Sequence, residues 1–449
     1  MLRLRMENKM KKSIYLLDYE SKDGKYYLMS TYSGNIISID SAKKKKLQNI
    51  LDISNTDMDR NSPVVDKLIS LGFIIDDNVN EFQRVTGERI LRSFTENNYL
   101  ELSIMPTEKC NFRCVYCYEN FEKPKMSNTT CDAIIKYVKK HIANHKGLVV
   151  SWFGGEPLLA VDVIEKLSEA FIQICKDNHK VYHSSITTNA YLLDLETFEK
   201  LRKFHINHFQ ITVDGDRETH DSQRVLADGR GSFDEIMSNL KTICEHGKGN
   251  LWTISLRTNV TNQIIKNIEQ FKNDVLRPFQ EDHRVYIMLR KMWTNNTKEA
   301  DSLICDDHEF EQFIKECQIS AHSLYLEYVF SHNMNFMCYA ANPNAFVIGS
   351  DGMVYKCTCG FYDEINQVGR LQPDGYMALD TAKMSYWVAP RAGNQEKCIT
   401  CVNYATCVSN GCPYHQDQPC DGKTLDILRY YIPQFFKLAQ KSEDLSDLI

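Results

Sequence analysis

Between residues 98 and 300, short apolar runs alternate with amphipathic stretches. The runs fall at 100–105, 149–153, 184–188, 209–213, 253–256 and 285–289. Each has strand length. Between them, 129–145, 161–177, 194–204, 232–246 and 262–276 repeat apolar positions at helical spacing. Repeated strand-helix units predict a parallel sheet with outer helices. Six such units are countable, and in folds of this kind sites gather at the carboxyl ends of the strands.

Before this block, 14–17 and 26–29 read as strands across a turn at Asp23-Gly24, and 35–39 as a third after Ser33-Gly34. Helices are expected over 41–52 and 62–71, and a short apolar strand over 71–75. Strands, paired helices and a strand outline a winged-helix-like domain over 12–80. A small α+β cap is the plainer alternative. Beyond the block, 306–330 reads as one more helix. From 338 to 422 periodicity fades and Gly, Pro, Asn and Cys dominate, which predicts a segment held by metal rather than by an extended apolar core.

Composition narrows the class. The chain has 449 residues, enough for about three domains. Hydrophobic content of 43% with 25% charge reads as soluble and globular. A net charge of −6 gives no reason to expect nucleic acid or an anionic membrane as partner. The lysines from Lys43 to Lys46 follow Ser41, a plausible N-cap, and read as a solvated helix face. No run has transmembrane length, and the basic start Met1-Leu2-Arg3-Leu4-Arg5 is not followed by an apolar signal core. A cytoplasmic location is expected.

Sixteen cysteines in such a chain point to metal rather than disulfides. Cys131, Cys175, Cys244, Cys305 and Cys317 stand singly and read as packing thiols. Cys110, Cys114 and Cys117 form a CxxxCxxC group within Thr107-Glu108-Lys109-Cys110-Asn111-Phe112-Arg113-Cys114-Val115-Tyr116-Cys117-Tyr118. Three thiolates at this spacing can hold three irons of a [4Fe-4S] cluster and leave the fourth open, whereas an electron-transfer cluster needs four. A zinc knuckle is the alternative for the triplet alone.

With Tyr116 before its third cysteine, the segment resembles the radical S-adenosylmethionine (SAM) enzymes. That resemblance implies that the open iron binds the amino and carboxylate groups of SAM, and that an electron from the cluster cleaves SAM to methionine and a 5′-deoxyadenosyl radical. It also implies a partial (β/α)6 TIM-like barrel, here over 98–300. Gly154-Gly155-Glu156-Pro157 follows the second strand and resembles the family motif that contacts the SAM amino group; Glu156 offers an acceptor there. Thr187-Thr188-Asn189 closes the third strand and is similar to the segment that meets the SAM ribose or carboxylate; a strand-end cap is the alternative. Asp214 closes the fourth strand, as a ligand or as an Asx turn. Arg224 matches an arginine that approaches the SAM carboxylate in related enzymes. No catalytic residue is expected beyond the clusters.

The tail pattern of Cys338, Cys357, Cys398, Cys401, Cys407, Cys412 and Cys420 resembles the SPASM domain, here over 331–449. It departs from that family in placing four residues, not three, between Cys407 and Cys412. The resemblance assigns Cys398, Cys401, Cys407 and Cys420 to one auxiliary [4Fe-4S] cluster, and Cys338, Cys357 and Cys412 to another. With the triplet this makes three [4Fe-4S] clusters and SAM as cofactors. Sulfatase-maturing relatives have a further cysteine between the first two, which is missing here. Either Cys359 fills the gap or one iron stays open. A strand over 357–359 would turn Cys357 and Cys359 to opposite faces and so favour the open iron.

Together these resemblances imply a radical SAM/SPASM maturase of a ribosomal precursor peptide with a leader, which the domain over 12–80 would recognise. The expected product is a sulfur-to-carbon thioether crosslink, and the electron donor a flavodoxin or ferredoxin. Carbon–carbon or aryl crosslinking and formylglycine formation are alternatives of the same class. A non-catalytic iron–sulfur carrier or zinc-bound interaction module is the alternative of another class.

Overall fold

The structure, a computed structural model, describes residues 9–52, 62–94, 98–292, 298–319, 338–388, 396–407, 424–438 and 442–449. Its first part holds β1 (Met10–Lys12), β2 (Leu16–Glu20), β3 (Lys25–Ser30) and β4 (Ile36–Asp40). Gly24 turns the chain between β2 and β3 with φ +84°, a conformation that costs glycine little. β2, β3 and β4 pair antiparallel. α1 (Lys44–Asp52) buries Leu47 and Leu51. α2 (Pro63–Ser70) starts on a proline whose missing N–H has no helical partner to lose. β5 (Ile74–Asp76) pairs with β1, and α3 (Glu81–Phe94) follows. These elements match those expected between 14 and 75.

The central block also follows the pattern. β6 (Leu100–Ile104), β7 (Gly147–Trp152), β8 (Val181–Thr188), β9 (Ile206–Thr212), β10 (Thr253–Val260) and β11 (Val285–Lys291) form six parallel strands in sequence order. Between them run α4 (Asn128–His141), α5 (Val161–Asp177), α6 (Leu195–Lys203), α7 (Arg217–Gln223) and α8 (Phe233–His246). The starts of α4 and α6 are fixed by Ser127 and Asp194, which accept from backbone N–H groups of the first turn. α5 buries Val163, Ile164, Leu167, Phe171 and Ile174 as one apolar stripe. In β6, Leu100, Leu102 and Ile104 are buried in the core, while Glu101 and Ser103 face an internal cavity.

Regular structure does not fade after 338. β12 (Ala345–Ile348) pairs parallel with β6, and β13 (Met353–Tyr355), β14 (Gln367–Leu371) and β15 (Met377–Leu379) continue the sheet antiparallel. Ten strands result, with Val347, Ile348, Val354, Tyr355 and Val368 in the core. The expectation of a segment held only by metal is corrected over 345–379. Strands this short carry too few residues to show a period. The helix expected over 306–330 is present as Asp307–Cys317; the rest lies outside the described residues.

The last strand returns to the first sheet. β16 (Ser442–Asp444) pairs parallel with β4, and Leu445 and Ile449 enter the core of Leu28, Ile37, Leu47, Leu68 and Phe73. Lys43 and Lys46 donate to the carbonyl oxygens of Ser446 and Ile449. The lysine run is therefore more than a solvated face. Helix Thr424–Leu438 buries Tyr431, Ile432 and Phe435.

The chain divides into two compact units. One comprises residues up to 96, 324–338 and 390–449; the other comprises 97–323 and 339–389. The span expected as one tail domain is thus shared between them. No helix among the described residues is long and apolar enough to cross a membrane.

Candidate active site

The loop after β6 carries the cysteine triplet, and backbone bonds clamp it. Arg113 and Val115 N–H donate to the carbonyls of Val225 and Gln223 at 2.8 and 3.0 Å, and Ala227 N–H donates to Asn111 at 2.8 Å. Phe112 is buried and anchors the turn. Cys110, Cys114 and Cys117 then line one cavity of about 620 Å³. Phe112 N–H donates to Cys110 Sγ at 3.3 Å. Burial pushes the Cys110 and Cys117 thiols up to about 12 and raises that of Cys114 against the pull of Arg224. Loading iron therefore displaces protons from these sulfurs. No group of three or more His, Cys, Asp or Glu among the described residues could hold a single metal ion. A cubane places a different iron at each thiolate, so it needs them spread around it rather than convergent. Three thiols on one cavity wall suit the three protein-held irons of a [4Fe-4S] cluster whose fourth iron is open.

The Gly154-Gly155-Glu156-Pro157 turn follows β7 and lies against the cluster loop. Glu156 N–H donates to the Lys109 carbonyl at 3.0 Å. A Cβ on Gly154 would stand 2.4 Å from the Thr107 carbonyl oxygen, and one on Gly155 would stand 2.4 Å from that of Glu108. Both glycines line the cavity. Their lack of a side chain first serves the approach of two backbone segments.

Glu156 is fully buried behind the cavity wall. Its carboxylate accepts from Leu158 N–H at 3.0 Å, Thr188 Oγ1 at 2.7 Å and Asn189 N–H at 2.8 Å. Burial raises its pKa and these bonds oppose the rise. It ties the end of β8 to the glycine turn. Thr187, Thr188 and Asn189 line the cavity, and Asn189 Nδ2 donates to Asn111 Oδ1 at 2.8 Å.

Tyr116 and Arg224 also line the cavity. Arg224 Nη1 donates to the Tyr116 hydroxyl at 2.6 Å and lies 3.6 Å from Asp214. Tyr116 in turn donates to Asp214. Asp214 is fully buried and also accepts from Asn259 N–H at 2.7 Å. It stands behind Tyr116 and Arg224 and holds them.

Polar cavity residues that the sequence did not single out include Glu119, Arg257 and Asn259, and Cys359, considered there only as an auxiliary ligand, lines the same cavity. Glu119 is buried, with one carboxylate oxygen unpartnered among the described residues. Burial, then the charge of Glu108, push it up to about 8. Arg257 and Asn259 alternate on the cavity face of β10. An arginine and an asparagine two apart on an apolar strand were the available signal, but the expected strand stopped at 256.

Cys357 to Cys359 is a loop, not a strand, so the argument for opposite faces falls. Cys359 N–H donates to Cys357 Sγ at 3.3 Å. The Cys357 thiol, hydrogen-bonded to that of Cys359, pulls the latter down to about 7. Asn366 fixes the loop: its Oδ1 accepts from Lys356 and Cys357 N–H, and its Nδ2 donates to the Cys357 and Gly360 carbonyls. In the other unit, Cys398 lies in the short helix Glu396–Ile399, Cys401 in the turn after it and Cys407 just past the 3-10 turn Tyr404–Thr406, with Cys401 N–H donating to the Cys398 carbonyl, Tyr404 N–H to that of Cys401 and Cys407 N–H to that of Tyr404. Cys338 belongs to that same unit. Cys412 and Cys420 lie outside the described residues.

Residues 104–275 match the Radical SAM superfamily. The chain is 26% identical over 265 residues to the radical SAM cyclopropyl synthase TigE of Paramaledivibacter caminithermalis, covering 52% of this chain and 54% of that protein. It is 23% identical over 341 residues to a cysteine-type anaerobic sulfatase-maturating enzyme of Clostridium novyi, covering 70% and 87%. The chain spans no more than about half the length of the first curated relatives it matches. Among solved structures, native anSMEcpe with bound AdoMet and Cp18Cys peptide is similar in fold, with a TM-score of 0.58 at 18% identity over 76% of this chain and 98% of that one.

Proposed function

We propose that this chain, with its radical SAM domain over 104–275, is a SPASM-type maturase. On this reading it installs a sulfur-to-carbon thioether in a leader-bearing, cysteine-containing ribosomal peptide. The observation that carries the radical SAM part is the cavity, where Cys110, Cys114 and Cys117 meet Gly154, Gly155 and Thr188 at the carboxyl ends of parallel strands. Cys110, Cys114 and Cys117 would hold a [4Fe-4S] cluster. Gly154, Gly155, Thr188, Asn189 and Arg224 would surround SAM. When bound, the cofactors supply a radical able to take hydrogen from an unactivated carbon, and the auxiliary clusters an acceptor for the electron left over.

The chain's own work is to hold and orient. Glu156 fixes the glycine turn, Asp214 fixes Tyr116 and Arg224, and the 223–227 backbone fixes the triplet. Cys398, Cys401 and Cys407, carried on successive short turns, are proposed to hold an auxiliary cluster with Cys420. Cys338, Cys357 and Cys412 are proposed for the other, and Cys359 now stands beside Cys357 as a possible fourth ligand. The domain over 12–80 is proposed to bind the leader, and a flavodoxin or ferredoxin to supply electrons.

The test is anaerobic co-expression with cysteine-rich peptides encoded nearby, followed by mass spectrometry. A two-hydrogen mass loss that resists reduction and blocks alkylation of one cysteine supports the thioether. A mass change with every cysteine still alkylatable favours the second reading, carbon–carbon bond formation, which the name of the cyclopropyl synthase relative supports.

A further inference from the structure

One cationic side chain of the cavity, Arg257, has no ion pair among the described residues. Arg257 lies on β10, whose Ile254, Leu256, Thr258 and Val260 are buried in the core, while Arg257 and Asn259 face the cavity. Arg257 Nε donates to Asn259 Oδ1 at 3.1 Å. Its two Nη groups have no hydrogen-bond partner among the described residues. Arg290, paired in register with Asn259 on β11, adds a second positive charge nearby. Burial and then Arg290 push the Arg257 guanidinium below its usual range. The nearest carboxylate that answers it electrostatically is Asp214, and Asp214 is already engaged by Tyr116, Asn259 N–H and Arg224.

A half-buried guanidinium that lines a cavity stays charged and favours an anion there. Its planar fork matches a carboxylate through two parallel bonds. Glu101 and Glu119 also line this cavity but neither acts on Arg257, so the carboxylates left to answer it are that of SAM and an acidic side chain of the substrate. Arg224 stands with the cluster loop, over the Phe112 ring and acting on Cys114. Arg257 shares Asp214 and Tyr116 with Arg224, and also acts on Tyr118 and Cys359. Arg224, bonded to Tyr116 and seated over Phe112 of the cluster loop, is the arginine assigned to SAM, which leaves the Nη groups of Arg257 for a second carboxylate.

We propose that Arg257, aimed by Asn259, binds an aspartate or glutamate side chain of the peptide being modified. This deepens the reading of the cavity as a peptide-modifying site and rests on it.

The experiment uses the anaerobically reconstituted holoenzyme, saturated with SAM, in equilibrium dialysis. The probes are N-acetyl-aspartate N-methylamide and its asparagine counterpart. The wild-type chain should retain the acid about tenfold more tightly than the amide, the size of a charge-assisted pair. Arg257→Gln should bring that ratio to about one, and Arg257→Lys should leave an intermediate ratio because it keeps charge but loses the fork. SAM affinity of Arg257→Gln should shift by less than about threefold. Equal retention of acid and amide by the wild type overturns the proposal. So does a roughly tenfold loss of SAM affinity in Arg257→Gln with the acid preference intact, which would assign the guanidinium to SAM. If the glutamine variant fails to load iron, the lysine variant decides: a reduced ratio supports the proposal and an unchanged one overturns it. No crosslink is read here, so failure to form a thioether would refute the assigned reaction without touching this result.

Discussion

Thr188 Oγ1 donates to Glu156 Oε1 at 2.7 Å, and so joins the end of one barrel strand to the turn that follows its neighbour. Two backbone N–H groups share the same carboxylate. Glu156→Gln would turn an amide donor toward at least one of these donors. The expected cost is about 1–3 kcal/mol of stability, with weakened SAM retention. Thermal unfolding and SAM dialysis check both; an unchanged midpoint would show that the wall does not depend on this carboxylate.

Gly155→Ala should be among the most damaging small substitutions in the barrel. Its new methyl would meet the carbonyl oxygens of Glu108 and Lys109 at 2.4 and 2.5 Å, and backbone cannot rotate away as a side chain can. A loss of about 1–3 kcal/mol is expected, together with reduced iron loading. Gly229→Ala is the control: its φ is +87° but nothing lies within 4 Å of the new methyl. It should cost only the local backbone strain, about 1–2 kcal/mol, and load iron normally.

Cys114→Ala should remove about four of roughly twelve irons per chain and abolish 5′-deoxyadenosine formation, because three thiolates are the fewest that leave one iron open. Iron analysis and chromatography of reaction mixtures read the two effects. Parent-level SAM cleavage by the variant would sink the site assignment. Stoichiometric zinc with only about four irons in the wild type would point to a zinc-bound tail.

Leu445→Ala should destabilise the unit that contains residues 9–94 by about 2–4 kcal/mol, since Leu445 is 1% exposed in its core. Removing residues 1–80 would strip β16 and helix Thr424–Leu438 of the sheet they cover. Such a truncation is therefore expected to expose apolar surface and aggregate rather than simply lose leader binding. Urea unfolding of Leu445→Ala and light scattering of the truncation test this; a monodisperse truncation would contradict it.

The Lys25–Asp444 pair makes one part of this stability depend on pH. Burial opposes ionisation of Asp444, but hydrogen bonds from Lys25 and Ser446, and the charge of Lys25, hold its carboxyl below the usual range. A depressed carboxylate contributes stability above its unfolded pKa of about 3.9, and that contribution is lost as pH falls through the folded value. With the side chains 32% and 44% exposed, the pair is worth only about 0.2–1 kcal/mol. Asp444→Asn should lower stability at pH 7, less so in high salt, and the difference should shrink as pH falls below about 3.9 and vanish once pH has passed through the depressed folded value. A difference that persisted there would place the effect in packing.

Much of the site was legible because its signals are local. Cysteine spacing, a glycine pair after a strand and an alternation of strand and helix periods are properties of neighbouring residues, and they located Cys110, Cys114, Cys117, Gly154, Gly155 and Thr188 at one sheet edge. Asp214 and Glu156 were found by the same local pattern, yet only packing decided that they brace the wall from behind. Side-chain period reports which residues share a face, not which distant chain covers it. Hence β12 beside β6, β16 beside β4 and the loop that brings Cys359 to Cys357 depended on contacts between residues far apart in the chain. Arg257 belongs to that second class: its strand could be read in part, but only the packing of distant segments around the cavity placed its charge there.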